Sequence, residues 1–173
     1  MIVRALDPTH PTDAALGQAL VVEYVEATFA ESESYGEAVP RTLTRSLFPE
    51  AYDFAAVYCE AGFAYLVAES DDRIAGGVGL KPLRDANHPD VATCEMKRMW
   101  VRPEFRRRGT ARELAVGLLD HARACRYERM VLDVTPQRVG AIALYRSLGF
   151  ADCAPTHDYP FSMVFLARSL TSP

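Results

Sequence analysis

The stretch Met99-Trp100-Val101-Arg102-Pro103-Glu104-Phe105-Arg106-Arg107-Arg108-Gly109-Thr110-Ala111 decides how the chain is read. Residues 93 to 101 alternate well enough for a strand, and Pro103, with no amide hydrogen to give a ladder, stops it. On the other side Ala111, Leu114, Ala115, Leu118, Leu119, Ala122 and Cys125 fall on one helical face, so residues 110 to 125 form an amphipathic helix beginning right after Gly109. The opening turn of a helix leaves backbone N–H groups unpaired and partly positive, and a glycine there lets an anion approach the main chain. Arginines add charge-assisted hydrogen bonds, which makes this strand, basic turn and helix a cradle for a diphosphate. No Gly-Lys-Ser/Thr follows and the three glycines of a dinucleotide fingerprint are missing, so nucleotide hydrolysis and hydride transfer lose support.

Charge sharpens the picture. Residues 97 to 112 carry Lys97, Arg98, Arg102, Arg106, Arg107, Arg108 and Arg112 against the single acid Glu104, a local charge of +6 in a chain of net charge −4. The remainder is therefore −10, and a bound polyanion would relieve the self-repulsion of the basic stretch. A solvated basic loop is the alternative reading, and overall acidity argues against general nucleic-acid binding. With 173 residues, 49% of them hydrophobic and 24% charged, the expectation is one domain over 1–173 with a single core. No apolar run reaches transmembrane length, and the first residues do not read as a signal peptide, so a cytoplasmic location with no membrane partner is expected. Cys59, Cys94, Cys125 and Cys153 form no C-x-x-C pair, so reduced thiols and no metal site are expected.

Outward from the decisive stretch, residues 130 to 134 read as a buried strand and residues 137 to 148 as a helix ended by Gly149. The run 163 to 167 supplies the core of a last strand. Upstream, residues 63 to 69 and 74 to 80 form a hairpin about Ser70-Asp71-Asp72-Arg73, in which Gly76, Gly77 and Gly79 mark a bulge or a close approach of another chain. Residues 82 to 90 read as a loop. Residues 13 to 30 are helical, capped at Thr12 or Asp13, and residues 31 to 52 are irregular save for a short helix before Pro49.

The Arg-x-x-Gly-x-Ala of Arg106, Gly109 and Ala111, preceded by Met99-Trp100-Val101 and followed by Ala143-Leu144-Tyr145-Arg146-Ser147-Leu148-Gly149-Phe150, resembles the acyl-coenzyme A signature and second motif of the GNAT N-acetyltransferase superfamily. The resemblance covers roughly residues 62 to 167 and points to the bacterial small-molecule branch. It implies an α/β (α+β) fold: a central mixed, mostly antiparallel twisted sheet of six to seven strands flanked by about four helices. The sheet would splay between the strand ending at Val101 and the strand 130–134, with the pantetheine arm of acetyl-CoA pairing along Met99, Trp100 and Val101. The pyrophosphate would sit on Arg106, Arg107, Arg108, Gly109, Thr110, Ala111 and Arg112. Arg138 stands where family members often carry an Asn that contacts the pantetheine arm; its guanidinium can still donate there. For Trp100 itself the preferred reading is a core residue, the alternative being a place on the pantetheine side.

Acetyl transfer to an amine needs the acceptor proton removed and the coenzyme A thiolate eased out. The resemblance makes Tyr145 the acid; its alternative is a packed aromatic with its hydroxyl at the core edge. Glu95 is the candidate base, or else a solvated strand residue paired with Lys97 or Arg98. Glu95 shares a strand face with Met99 and Val101 unless a bulge between them reverses it. His88 and Asp133 are weaker candidates. His157 and Asp158 fall where the family's last loop borders the acceptor cleft and are assigned to substrate binding or to the base, against an exposed turn. Glu31, Glu33, Glu37, Asp71 and Asp72 are acids that can attract a cationic amine. The function implied is transfer of an acetyl group from acetyl-CoA to a primary amine of a small molecule or an amino terminus by direct attack. The alternatives are a non-catalytic acyl-CoA binding or sensing module and, further off, a nucleic-acid binder. The acceptor, the acyl-chain preference and the oligomeric state, a homodimer included, stay open.

Overall fold

Asp71 and Asp72 both take the left-handed backbone conformation, with φ of 52° and 58°, and fold the chain back on itself between two strands. That hairpin is the centre from which the sheet grows. In the computed structural model, which describes residues 1–31 and 44–171, β1 (Ile2–Ala5) leads into helix α1 (Pro11–Glu31). Helix α2 (Thr44–Leu47), a 3-10 turn at Pro49–Ala51 and helix α3 (Phe54–Tyr58) come next. They are followed by β2 (Ala64–Ser70), β3 (Arg73–Leu83), β4 (Thr93–Val101), a second 3-10 turn at Pro103–Phe105, and helix α4 (Thr110–Ala124). The chain closes with β5 (Arg129–Val134), helix α5 (Val139–Ser147), β6 (Ala151–Asp152) and β7 (Val164–Ser169).

The seven strands form one sheet in the order β1-β2-β3-β4-β5-β7-β6. Every neighbouring pair is antiparallel except β4 and β5. The fold is thus the mixed, mostly antiparallel sheet expected, with five α-helices among the described residues. One face of the sheet packs against α4 and α5 through Leu66, Val78, Met96, Leu114, Leu118, Leu132 and Tyr145. The other packs against α1 and α3 through Leu20, Val21, Phe54, Tyr58 and Tyr65, with Phe48 from the α2 end. Leu114 and Leu118 on α4 are fully buried, each worth about 1.5–3 kcal/mol of transfer from water.

Two features of the sheet make the cleft. The parallel ladder between β4 and β5 runs only from Thr93↔Arg129 to Glu95↔Val131, so beyond it the two strands part. Opposite, the register between β3 and β4 jumps from Gly77↔Trp100 to Gly79↔Lys97, a bulge at which Arg98 is left-handed with φ of 55°. A non-glycine residue held there costs about 1–3 kcal/mol, so something must hold it. The bulge also flips strand parity: Cys94 and Met96 face the α4 side before it, Met99 and Val101 after it. Glu95 therefore lies on the opposite face from Met99 and Val101. Gly76 is required by close approach, since a Cβ there would meet the Trp100 carbonyl oxygen at 2.2 Å.

Several boundaries differ from the sequence reading. β1 and α3 were not expected at all. Pro82 and Leu83 belong to β3 rather than to a loop: β2 pairing ends at Leu80, so the missing Pro82 N–H faces no partner strand. Helix α1 begins at Pro11, and Asp13 accepts from the Asp7 amide and the Arg4 guanidinium instead of capping it. Helix α5 starts at Val139, not at residue 137. Of the acids expected to attract an amine, Glu33 and Glu37 lie outside the described residues, as does the side chain of Glu31. No helix among the described residues is long and apolar enough to cross a membrane.

Candidate active site

Where β4 leaves β5, a cavity of about 730 Å³ opens. Its walls include Met99, Trp100 and Val101 of β4, Leu132 and Asp133 of β5, and Leu144 and Tyr145 of α5. Its far end reaches Arg106, Arg107, Gly109, Thr110, Ala111 and Arg112 at the start of α4.

That end is a left-handed turn opening a helix. Gly109 caps α4 with φ of 87°, and Arg107 is left-handed as well at φ of 58°. Among the described residues no main-chain bond is made by the amides of Arg107 to Ala111, whereas Arg112 and Glu113 already donate to the Gly109 carbonyl. A run of free N–H groups at a helix start, in a turn of this kind, points at whatever lies in the cavity. The side chains divide their work. Arg106 donates to the Val101 carbonyl at 3.0 Å and lies over the Trp100 ring, bracing the turn against β4. The Thr110 hydroxyl is spent on the Phe105 carbonyl, so this residue offers only its amide. Arg112 reaches Ser147 on α5 at 2.7 Å and ties the two helices. Arg108 is the exception among the expected phosphate ligands: it does not line the cavity and lies 6.0 Å from the Phe105 ring.

Trp100 packs with the α1 cluster, donates to Glu23 at 3.0 Å and also lines the cavity. Arg138 also lines it, but its guanidinium crosses to α1, donating to the Thr28 hydroxyl at 3.1 Å and lying 5.6 Å from the Tyr24 ring. In place of the amide expected there, the chain has a bridge over the cavity.

At the near end stands a group of charges. Lys97 places its ammonium 2.5 Å from Asp133 Oδ2 and 2.8 Å from Glu95 Oε1. The Tyr159 hydroxyl donates to the same Asp133 oxygen at 3.0 Å, while His157 Nε2 lies 2.8 Å from Glu95 Oε1. Lys97, Asp133 and Tyr159 line the cavity; Glu95 and His157 sit behind them. The expected base is therefore buried with its charge already satisfied. Burial alone would raise the Glu95 pKa, but the hydrogen bond to His157 and the Lys97 ammonium outweigh it and hold the carboxyl at about 2. Burial disfavours the Lys97 charge as well, yet Asp133 and Glu95 keep it firmly protonated, its pKa raised. Asp133 differs from Glu95 in lining the cavity; its Oδ1, like Glu95 Oε2, has no hydrogen-bond partner among the described residues.

Tyr145 is buried, edge-on to Phe150 at 6.0 Å between ring centroids, and faces the cavity with a hydroxyl that has no partner among the described residues. Burial first, and the nearby Tyr24 and Asp133 next, push its pKa well above the ordinary tyrosine value despite Arg138. Asp158 is exposed and stands apart from this group, as do Asp71 and Asp72 in the hairpin turn. His88 is bound to Asp85, away from the cavity. Ligand atoms of Glu95, Asp133 and His157 lie within 4.8 Å of one another, a spacing that suits a metal ion, but the Lys97 ammonium already supplies the positive charge between the two carboxylates.

Sequence reasoning left out Lys97 as a site residue, Tyr159, Phe161, Met163, and Tyr24 and Thr28 from α1. Lys97 was counted in the basic stretch and as a possible partner of Glu95, a pairing the structure contains. The alternation of His157, Tyr159 and Phe161 was a usable signal: His157 lies tilted against Tyr159 at 5.9 Å between centroids, Tyr159 stacks on Phe161 at 5.4 Å, and Tyr159 and Phe161 line the cavity.

The family model described as Acetyltransferase (GNAT) family matches residues 26–150. N-acetyltransferase YjgM of Escherichia coli (strain K12) is 35% identical over 102 residues, 59% of this chain and 59% of that protein. N-acetyltransferase 8 of Homo sapiens is 34% identical over 91 residues, covering 53% of this chain and 40% of its own. The chain thus spans less than two thirds of the length of these curated relatives. Among solved structures, that of yncA from Salmonella typhimurium with its cofactor acetyl-CoA superposes with a TM-score of 0.71 at 23% identity, covering 100% of this chain and 95% of that one.

Proposed function

Because this chain belongs to the GNAT acetyltransferase family, we propose that it transfers an acetyl group from acetyl-CoA to a primary amine of a small molecule or an amino terminus by direct attack. One observation carries the reading: a single cavity joins Arg107, Gly109, Thr110 and Ala111, whose amides make no main-chain bond among the described residues, to an Asp133 oxygen and a Tyr145 hydroxyl that have no partner among those residues. The cradle fits a diphosphate by its free N–H donors, its left-handed turn and the guanidinium of Arg107. Beyond Glu95, β4 has no β5 partner, so its edge from Met99 to Val101 can pair with an amide-bearing arm. When bound, acetyl-CoA supplies an acetyl group activated as a thioester.

Asp133 is the residue that receives the acceptor. Lys97 and Tyr159 hold its Oδ2, which fixes the carboxylate plane and leaves Oδ1 to take a hydrogen bond from the ammonium and then its proton. Glu95 and His157 act from behind: they fix the Lys97 ammonium and hence the Asp133 orientation. Tyr145 remains protonated at any physiological pH and donates its proton to the departing sulfur. Tyr159, Phe161 and Met163 give the acceptor end an apolar wall, suited to the carbon body of the amine. Asp158, exposed and outside the cavity lining, is assigned no contact.

The test is incubation of the purified protein with acetyl-CoA and a panel of primary amines, following free coenzyme A against acetylated product by mass balance. Stoichiometric turnover with at least one amine supports the transferase. Saturable binding of acetyl-CoA with no turnover on any amine would favour the sensing module instead.

A further inference from the structure

The bulge that opens the cleft is held from outside it. Glu50, in the 3-10 turn Pro49–Ala51, has a side chain with 0% exposure and lies 2.6 Å from Arg98 Nε and 2.9 Å from Lys81 Nζ. Arg98 also donates to the Leu47 carbonyl at 2.7 Å and lies 4.5 Å from the Phe48 ring and 5.8 Å from that of Tyr24. Apart from Lys81, these groups come from α1 and the segment before α3, not from the sheet. Arg98 itself is the left-handed residue of the bulge.

We propose that Glu50 is a positioning residue for the cleft: by anchoring the Arg98 guanidinium it holds the left-handed bulge in β4, and so swings Met99, Trp100 and Val101 into the place where they wall the cavity. Burying a carboxylate is a poor route to stability, because desolvation takes back most of what the ion pair contributes; apolar residues of similar volume do as well. Among the described residues Glu50 Oε2 has no partner, nor do the buried Tyr58 and Tyr65 hydroxyls. The gain from this arrangement is conformational. Arg98 is gripped at Nε by Glu50 and at a terminal nitrogen by Leu47, which fixes the side chain along its length and with it the backbone it hangs from. The reach of Glu50 is through Arg98 only, since it does not line the cavity.

This inference uses the coenzyme A reading of the cleft for one of its two readouts, so a second, independent readout accompanies it. In the full chain, Glu50→Gln keeps the shape and removes the charge. Amide hydrogen exchange at residues 98–101 is expected to speed up at least about tenfold while Thr93 to Glu95 are unchanged, and coenzyme A affinity by calorimetry is expected to fall about tenfold. Glycine takes a positive φ without strain, so adding Arg98→Gly to Glu50→Gln should bring affinity back to within about threefold of the wild type. Loss of packing alone predicts the reverse, because the double variant removes still more side chain. No change in either readout for Glu50→Gln, or a double variant no better than the single, overturns the proposal. Should Glu50→Gln not fold, Arg98→Ala is compared with Arg98→Gly: affinity falling only for alanine supports the clamp, and equal loss in both overturns it. A wild type that binds no coenzyme A would sink the reading of the cleft while leaving the exchange result to judge the clamp.

Discussion

The Lys97 ammonium lies 2.5 Å from Asp133 Oδ2, on the one acid among the described residues that lines the cavity. This pairing decides which carboxylate can meet an acceptor amine. Asp133→Asn retains the shape and the bond from Tyr159 but can no longer take a proton. The expected outcome is a fall in kcat of about 100-fold to 10,000-fold with coenzyme A affinity unchanged, read by steady-state kinetics and calorimetry. Glu95→Gln should cost far less, about tenfold, because Glu95 works only through Lys97. The opposite ranking would return the role of base to Glu95.

Tyr145→Phe removes a hydroxyl without disturbing the ring packed against Phe150. Turnover should fall about 10-fold to 100-fold, with affinity for acetyl-CoA kept. Equal loss of both would mean that the tyrosine serves packing. Burial raises the Tyr145 pKa above its ordinary value of 10.0, so the wild-type pH profile should show no alkaline fall from this group below about pH 10. A descending limb between about pH 8 and 9 that disappears in Tyr145→Phe would contradict the assignment.

Glu95 also ties stability to pH. Its carboxyl is held at about 2 in the fold against an ordinary value of 4.5, so the folded state binds fewer protons than the unfolded one between those values. The stabilisation is complete above pH 4.5 and is lost as pH falls toward about 2. Thermal melts at about pH 6 and about pH 3 should show a drop in Tm that is smaller in Glu95→Gln than in the wild type. Identical drops would show that other carboxylates carry the acid sensitivity.

The strand, basic turn and helix start were legible because their signals are local: a strand stop at Pro103, an arginine run, Gly109 and a helical apolar stripe lie within a few turns of one another. The hairpin about Asp71 and Asp72 was legible for the same reason. What escaped the sequence depends on contacts across long separations. Glu50 meets Arg98 across 48 residues, and His157 meets Glu95 across 62, so no periodicity could announce either. The parity of Glu95 was undecidable without the bulge, since one extra residue moves a side chain to the other face of the sheet. β1 escaped because four residues offer too little alternation to count.

Gly109 offers the sharpest test of the cradle. A Cβ added there would meet nothing within 4 Å, so bulk is no obstacle, and φ of 87° is a conformation that aspartate tolerates better than most residues. Gly109→Asp should therefore fold, while its carboxylate faces the diphosphate where the free amides of Thr110 and Ala111 point. At an effective dielectric near 20, a like charge about 4 Å away costs about 4 kcal/mol, enough to weaken acetyl-CoA binding by at least about 100-fold. Gly109→Ala separates charge from strain: it carries a backbone penalty at least as large with no carboxylate, so it should lower Tm while losing much less affinity. Calorimetry and melting curves on the two variants read both quantities. If aspartate and alanine lose affinity equally, the turn acts through its backbone shape alone; if neither loses any, the diphosphate is bound elsewhere and the arginines of this turn have another purpose.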